Sequence, residues 1–139
     1  AAVADAFVAE QSNLSTREQL VNYALQFVGG RYKFGGSDPH TGVDCSGFTK
    51  YVMQHGAGVS LNRSSASQSK QGTAISADQM QPGDLIFYYA NNSHVGIYIG
   101  DGKIVHASNS APYPQGGIKV SSYDYAYIYG CVRYWYTSD

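Results

Sequence analysis

The sequence pattern changes from helix-like to strand-like near Asp84, and this change limits the possible folds more than any other feature. Before that residue, apolar residues recur at helical spacing between loops rich in glycine and serine. After it come five short runs of β-branched and aromatic residues, at 85–89, 95–99, 104–107, 118–120 and 126–135. Because short turns separate most of these runs, we predict a mainly antiparallel sheet of five to six strands. Helices followed by strands indicate an α+β fold.

The first half of the chain predicts three helices. A capping-box pattern at Ser15 and Glu18 begins the first helix, which extends for about 13 residues. The second helix follows a glycine-rich segment at 29–36, which is expected to form a loop. Ser65 and Gln68 form a further capping pattern for a short third helix. We expect these N-terminal helices to pack on the sheet.

A lone cysteine lies where the glycine-rich loop gives way to the second helix. Asp44 is a good N-cap, so Cys45 falls in the first turn of a helix that extends to about His55. There, unpaired N–H groups and the positive end of the helix dipole are expected to stabilise a thiolate. A thiolate is the nucleophile of cysteine enzymes, although many free cysteines simply pack as small apolar residues.

Two histidines lie on the arms of a predicted hairpin, His94 before the turn and His106 after it. A three-residue loop at 100–102 would pair Gly96 with His106 and place both imidazoles on one face of the sheet. A two-residue loop at 101–102 would turn them to opposite faces. We predict the three-residue form, because a glycine then occupies its left-handed position.

A thiol and two imidazoles suit nucleophilic catalysis. One histidine can take the proton of Cys45 and return it to a leaving amine. A second polar group on its far nitrogen fixes the tautomer and orientation, and His106 can do this for His94 as a neutral acceptor. The alternatives are that each histidine merely packs or faces solvent, or that the three residues bind zinc. A widely spaced set with no nearby fourth ligand is a poor structural zinc site, so no metal is predicted.

Composition excludes several classes of protein. The 139 residues are enough for one domain with its own core. Charged residues make up only 14% of the chain and the net charge is −1. The sequence has no basic patch of the kind that binds nucleic acid. No run approaches the roughly 18 apolar residues of a membrane span. We expect no disulfide between Cys45 and Cys131, which lies in the predicted terminal strand.

The N-terminal residues 1–14 lack the charged and long apolar regions of an intact signal peptide. We interpret them as a linker or the end of a preceding segment of a larger precursor, and residues 15–139 as the catalytic domain. The polar, weakly charged and tyrosine-rich composition is typical of many secreted bacterial domains. A secreted location is therefore expected.

Four motifs, in order and with similar spacing, resemble the NlpC-type cell-wall cysteine peptidases, a branch of the papain-like fold. The resemblance covers about residues 16–134. Its motifs are Gly36 followed by Asp44-Cys45-Ser46-Gly47-Phe48, Arg63-Ser64, Gln81-Pro82-Gly83-Asp84-Leu85 and His94-Val95-Gly96-Ile97-Tyr98.

The resemblance implies a role for each matching residue. Cys45 is the nucleophile, His94 the general base and His106 the orienting third member. Tyr32 matches a tyrosine that reaches the cysteine from the glycine-rich loop and helps define the oxyanion site.

Further matching positions belong to the substrate groove. Asp44 and Ser46 match positions that line the acceptor for the free groups of the substrate, and we include Arg63 and Ser64 as substrate-binding candidates. Two groove positions depart from the family pattern, Arg31 and Phe34.

The resemblance also implies an activity. It is hydrolysis of the peptidoglycan stem peptide between γ-linked D-Glu and the diamino acid, meso-diaminopimelate or L-Lys, without a cofactor or metal. Three alternatives stay open: an amidase or an acyltransferase that uses the same site, and a non-catalytic wall-binding module.

Overall fold

The fold was analysed in a computed structural model that describes residues 16–134. It contains three helices, one 3-10 turn and eight strands. The helices are α1 (Thr16–Leu25), α2 (Cys45–Ala57) and α3 (Ser65–Gln68), and the 3-10 turn is Ala77–Gln79. The strands are β1 (Ser37–Asp38), β2 (Gly42–Val43), β3 (Thr73–Ile75), β4 (Leu85–Tyr88), β5 (His94–Gly100), β6 (Lys103–Ala107), β7 (Ile118–Ser122) and β8 (Ile128–Arg133).

Six of the strands form one antiparallel sheet in the order β3-β8-β4-β5-β6-β7. The predicted α+β fold with a mainly antiparallel sheet is thus confirmed. Sequence analysis did not locate the sixth strand, β3, which pairs with β8 at one edge of the sheet, with Thr73 opposite Arg133. It also missed the small ribbon of β1 and β2 within the region before α2.

The sheet buries apolar side chains on both faces. One face packs against α1 and α2, where Leu20 and Phe48 meet Val95, Ile97 and Val105. The opposite face has a smaller cluster, Ile86, Tyr88, Ile104 and Cys131. Because side chains alternate along a strand, His94 and His106 lie on this second face, away from the helices.

A buried carboxylate ties α1 to the sheet. Asp84, which is fully buried, accepts hydrogen bonds from Arg17 at 3.1 Å and from Arg133 at 2.9 Å. It also accepts the backbone N–H of Gln81 at 2.9 Å. These partners satisfy a charge that would otherwise be expensive to bury, and they hold the start of α1 against β4 and β8.

The turn of the histidine hairpin differs from the prediction, but the two histidines still lie on the same face of the sheet. Gly100 pairs with Lys103, so the loop has two residues, Asp101 and Gly102, both with positive φ. The predicted three-residue loop was therefore wrong, since an Asp-Gly pair suits a tight turn with two left-handed residues. A register shift between Tyr98 and Gly100 adds one residue to β5.

This extra residue reverses the effect of the shorter loop. Beyond the shift, Ile97 pairs with Val105, which is the same register as a pairing of Gly96 with His106. A Cβ built on Gly96 would meet the Cβ of His106 at 3.3 Å, in agreement with this register. Both imidazoles thus share one face, as predicted, by a different route.

Helix ends also differ in detail. Ser64 caps α3 by accepting from the N–H of Ser67 at 3.2 Å, so the prediction of Ser65 as its cap was wrong. The helix of Cys45 begins as predicted and ends at Ala57, where Gly58 adopts the left-handed conformation. The predicted capping residue Ser15 and the predicted linker 1–14 lie outside the described residues.

Candidate active site

The start of α2 is fixed by its own sequence. Asp44 is the N-cap and accepts the N–H of Gly47 at 2.7 Å, as its position before the helix predicted. Gly47 has to be a glycine, because an added Cβ would collide with the carbonyl oxygen of Gly36. This close packing of the glycine-rich loop on the first turn sets the position of Cys45.

The sulfur of Cys45 is nearly buried beside the first residues of β5. The residue is 8% exposed, and its Sγ lies 3.8 Å from the carbonyl oxygen of Ser93. Burial raises the pKa of the thiol, and the charge of Asp44 raises it further. N–H groups, foremost that of Val95, act in the opposite direction without prevailing. The expectation that the helix start alone favours a thiolate was therefore wrong, and the thiol needs a base.

The two histidines form a buried pair on the sheet. Nε2 of His94 lies 2.7 Å from Nδ1 of His106, and Nε2 of His106 lies 2.9 Å from the hydroxyl of Ser121. Burial lowers the pKa of His94 to about 4. Burial, with the charges of His94 and Lys119, lowers the pKa of His106 to about 3. Both rings are therefore neutral near pH 7.

The sulfur approaches the histidine pair at the start of β5. Its neighbours Ser93 and Val95 flank His94 in the chain. Within residues 16–134, no hydrogen bond joins the sulfur to either imidazole. Nδ1 of His94 has no hydrogen bond within the same residues and is the nitrogen left for a proton from Cys45. The arrangement can thus transfer a proton once the thiol and the ring are aligned by a bound ligand.

Tyr32 lies close to Cys45. Its backbone pairs with Val43 in an isolated parallel bridge, two residues before Cys45. Burial raises the pKa of the phenol, and the charges of Cys45 and Asp44 raise it further. The glycine-rich loop therefore places this hydroxyl group within electrostatic range of the sulfur.

Three of the predicted substrate-binding residues form one network. Arg63 donates to the hydroxyl of Ser46 at 2.9 Å and to Asp44 at 3.1 Å. It also donates to the carbonyl oxygen of Gly36 at 3.0 Å. Ser64 is not in this network, because its side chain caps α3.

Sequence analysis did not identify two residues that touch the histidine pair. The centroid of the Tyr125 ring lies 5.2 Å from that of the His106 ring and 6.4 Å from that of the His94 ring. Ser121 binds the far nitrogen of His106. Neither belongs to a local motif, and only the pairing of β6 with β7 brings Ser121 to the site.

The described residues also bear on metal binding, on the second cysteine and on membrane-spanning helices. In the described part of the chain, no group of three or more His, Cys, Asp or Glu side chains could hold a metal ion. Cys131 is a buried free thiol on the second face of the sheet, 3% exposed, and burial raises its pKa to about 11. None of the helices between residues 16 and 134 has the length and apolar character needed to cross a bilayer.

The sequence and the fold agree with a family of known proteins. The chain belongs to the NlpC/P60 family, whose model matches residues 29–134. It is 42% identical over 92 residues to a gamma-DL-glutamyl hydrolase of Bacillus subtilis, a match covering 66% of this chain and 22% of that protein. It is 45% identical over 93 residues to a probable endopeptidase p60 of Listeria innocua, covering 66% of this chain and 20% of that protein.

Solved structures show the same fold. The NlpC/p60 domain of the peptidoglycan hydrolase SagA superposes with a TM-score of 0.72 at 34% identity, covering 84% of this chain and 97% of that chain. The predicted family is thus confirmed. The chain spans 22% and 20% of the length of the two curated relatives named above.

Proposed function

We propose that this domain is a cysteine endopeptidase that hydrolyses peptidoglycan stem peptides between γ-linked D-Glu and the diamino acid. The observation that carries the proposal is the chain of polar groups behind Cys45, in which His94 bonds His106 at 2.7 Å. Support also comes from relatives named as endopeptidases, as a γ-glutamyl hydrolase and as a peptidoglycan hydrolase. A location outside the cell, at the wall, and a place in a larger precursor belong to the same proposal.

The tautomers follow from the role of His94. To accept a proton from Cys45 at Nδ1, the ring carries its own hydrogen on Nε2 and donates it to Nδ1 of His106. His106 then carries its hydrogen on Nε2 and donates it to Ser121. This one arrangement of hydrogens leaves a lone pair on His94 for the thiol.

The reaction then has two halves. The proton of Cys45 moves to His94 as the sulfur bonds the carbonyl carbon, and the C–N bond breaks as His94 returns the proton to the leaving amine. Water next attacks the thioester as His94 takes one of its protons, and the C–S bond breaks as His94 returns that proton to the sulfur, which releases the acid and restores the Cys45 thiol. The leaving amine lies on the His94 side of the sulfur, because that ring protonates it.

The negative oxygen formed in each half needs donors that are already in place. We propose that the backbone N–H of Cys45, at the positive end of α2, supplies one donor and the phenol of Tyr32 the other. The network of Asp44, Ser46 and Arg63 is proposed to bind the free polar groups of the acyl half. The side chain of Arg63 is 41% exposed and so accessible to such groups.

The test uses the full chain with defined muropeptides that contain either diamino acid. Wild-type protein should release fragments whose new amine belongs to the diamino acid, as identified by mass spectrometry. Cys45→Ala should abolish release while circular dichroism shows an unchanged fold, and Cys131→Ala, the matched control, should keep activity. A new amine on the L-Ala residue would identify an amidase, and incorporation of an added amine would identify acyl transfer. Release that persists in Cys45→Ala would overturn the proposal.

A further inference from the structure

A cleft with a volume of about 380 Å³ opens beside Tyr32 and is lined in part by the glycine-rich loop. Residues 29–32 form one wall, residues 110–113 form the other, and Gly117 lies between them. The backbone of Tyr32 pairs with that of Val43, two residues before Cys45, so the cleft adjoins the candidate active site. Nothing in the proposed reaction uses this space.

The cleft is built from backbone that is held in place. Gly29 and Gly117 have φ of +96° and +72°, conformations that favour glycine. A Cβ on Gly117 would come within 2.5 Å of the carbonyl oxygen of Gly30, whereas nothing lies within 4 Å of one on Gly29. The other wall is braced by Asn109, whose side chain accepts the N–H of Ala111 at 2.9 Å. A ligand can therefore approach a preformed surface without side chains on its floor.

Arg31 is the one charged side chain in the lining of the cleft. Its backbone is fixed, since its carbonyl oxygen accepts the N–H of Val43 at 3.1 Å. The side chain is exposed, and within the described segment its guanidinium makes neither a hydrogen bond nor an ion pair. The remaining lining residues that carry polar side chains are Tyr32, Ser110 and Tyr113. This combination of a free guanidinium and hydroxyl groups, with no acidic side chain, favours an anion.

We infer that the Arg31 cleft binds a free carboxylate of the stem peptide. This inference rests on the proposed function and names a specificity residue of the same site. A γ-linked D-Glu keeps its α-carboxylate free. Three carbon atoms separate this carboxylate from the scissile carbonyl carbon. The diamino acid can carry a second carboxylate on the leaving side. Both groups are planar anions that a guanidinium can bind with two parallel hydrogen bonds.

The experiment measures binding in a Cys45→Ala background, so that its result does not depend on hydrolysis. The probes are three muropeptides: one with both carboxylates free, one amidated at D-Glu and one amidated at the diaminopimelate side chain. We expect one amidation to weaken binding about five- to tenfold, a typical value for one charge-assisted contact. The difference should shrink as NaCl is raised, because salt screens an exposed pair.

Two substitutions test whether Arg31 is the partner. Arg31→Gln should remove the preference for the free acid while leaving the affinity for the amide unchanged, and Arg31→Lys should retain part of the preference. Lys33→Gln is the matched control, because Lys33 belongs to the same loop but does not line the cleft. It should keep the full preference.

The site of the effective amidation identifies which carboxylate is bound, and either result supports the inference. Equal affinity for all three muropeptides, or a preference that survives Arg31→Gln, would overturn it. The proposed function fails separately, if wild-type protein binds these muropeptides but releases no fragment.

Discussion

We expect hydrolysis to continue at a pH well below that at which an ordinary histidine base is protonated. Burial lowers the pKa of His94 from 6.5 to about 4. His106 lies against it and does not supply a charge, because burial lowers its own pKa to about 3. Since the proposed base His94 can accept a proton from Cys45 only when its ring is neutral, activity should fall as the pH drops through the lowered pKa, not through 6.5.

The expected size of the effect follows from the fraction of neutral imidazole. At about pH 5.5, a histidine with a pKa of 6.5 would be about 9% neutral, whereas one with a pKa of about 4 is about 97% neutral. The value of kcat/KM at this pH should therefore stay close to its plateau, whereas an unburied base would have lost about tenfold.

The same burial makes the fold less stable in acid, and this has to be separated from catalysis. The folded-state pKa of each histidine lies below its unfolded value of 6.5. Between about pH 6.5 and 4 the unfolded chain binds more protons, so the free energy of unfolding decreases as the pH is lowered through this window. Circular dichroism at each pH should confirm that the protein is folded before a rate is assigned to the active site.

The assay is release of muropeptide fragments by the full chain from about pH 4.5 to 8 at constant ionic strength. Alkylation of Cys45 by iodoacetamide gives an independent measurement, because burial raises the pKa of its thiol above the ordinary value for a cysteine. Its rate should keep rising above pH 8 rather than level off near neutral pH. An acid limb centred near pH 6.5 in protein that is still folded would refute the argument that burial sets the pKa of His94.

Three further predictions concern single residues. Asp84→Ala should lower the free energy of unfolding by about 3 to 5 kcal/mol in urea titrations, because it leaves the buried Arg17 without its carboxylate; a change below about 1 kcal/mol would contradict this. Ser121→Ala should lower kcat more than it raises KM and shift the tautomer signals of His106 in ¹⁵N NMR, whereas Ser121→Thr should keep most of the rate. Gly47→Ala should prevent normal folding, while Gly130→Ala, where a Cβ meets nothing within 4 Å, should not; similar melting temperatures for the two would contradict the packing argument.

The sequence was sufficient where a structural requirement is local. Asp44 caps a helix because its side chain accepts the N–H three residues ahead, and this pattern is visible in the sequence. Alternating apolar residues likewise located the strand of Val95 and Ile97 and its helix-facing side. The family resemblance rested on several such local requirements in order, and the comparison with known proteins confirmed it.

The sequence was insufficient where two effects compete or where distant segments meet. At Cys45, the helix start favours a thiolate, but burial outweighs it, and the extent of burial depends on β5. Ser121 and Tyr125 reach His106 only because β7 and the segment after it return beside β6. No local spacing contains that information.

The histidine hairpin shows how a wrong turn can still give the right site. The side chains of a strand alternate, so the face of His94 depends on the parity of the residues between it and His106. The two-residue turn at Asp101 and Gly102 changes that parity once, and the additional residue between Tyr98 and Gly100 changes it again. Deleting Ile99 should therefore remove only the irregularity: Ile97 still pairs with Val105 across the same two-residue turn, and both imidazoles stay on one face. With Ile99 present, the irregularity of β5 is what brings the two histidines to the same face.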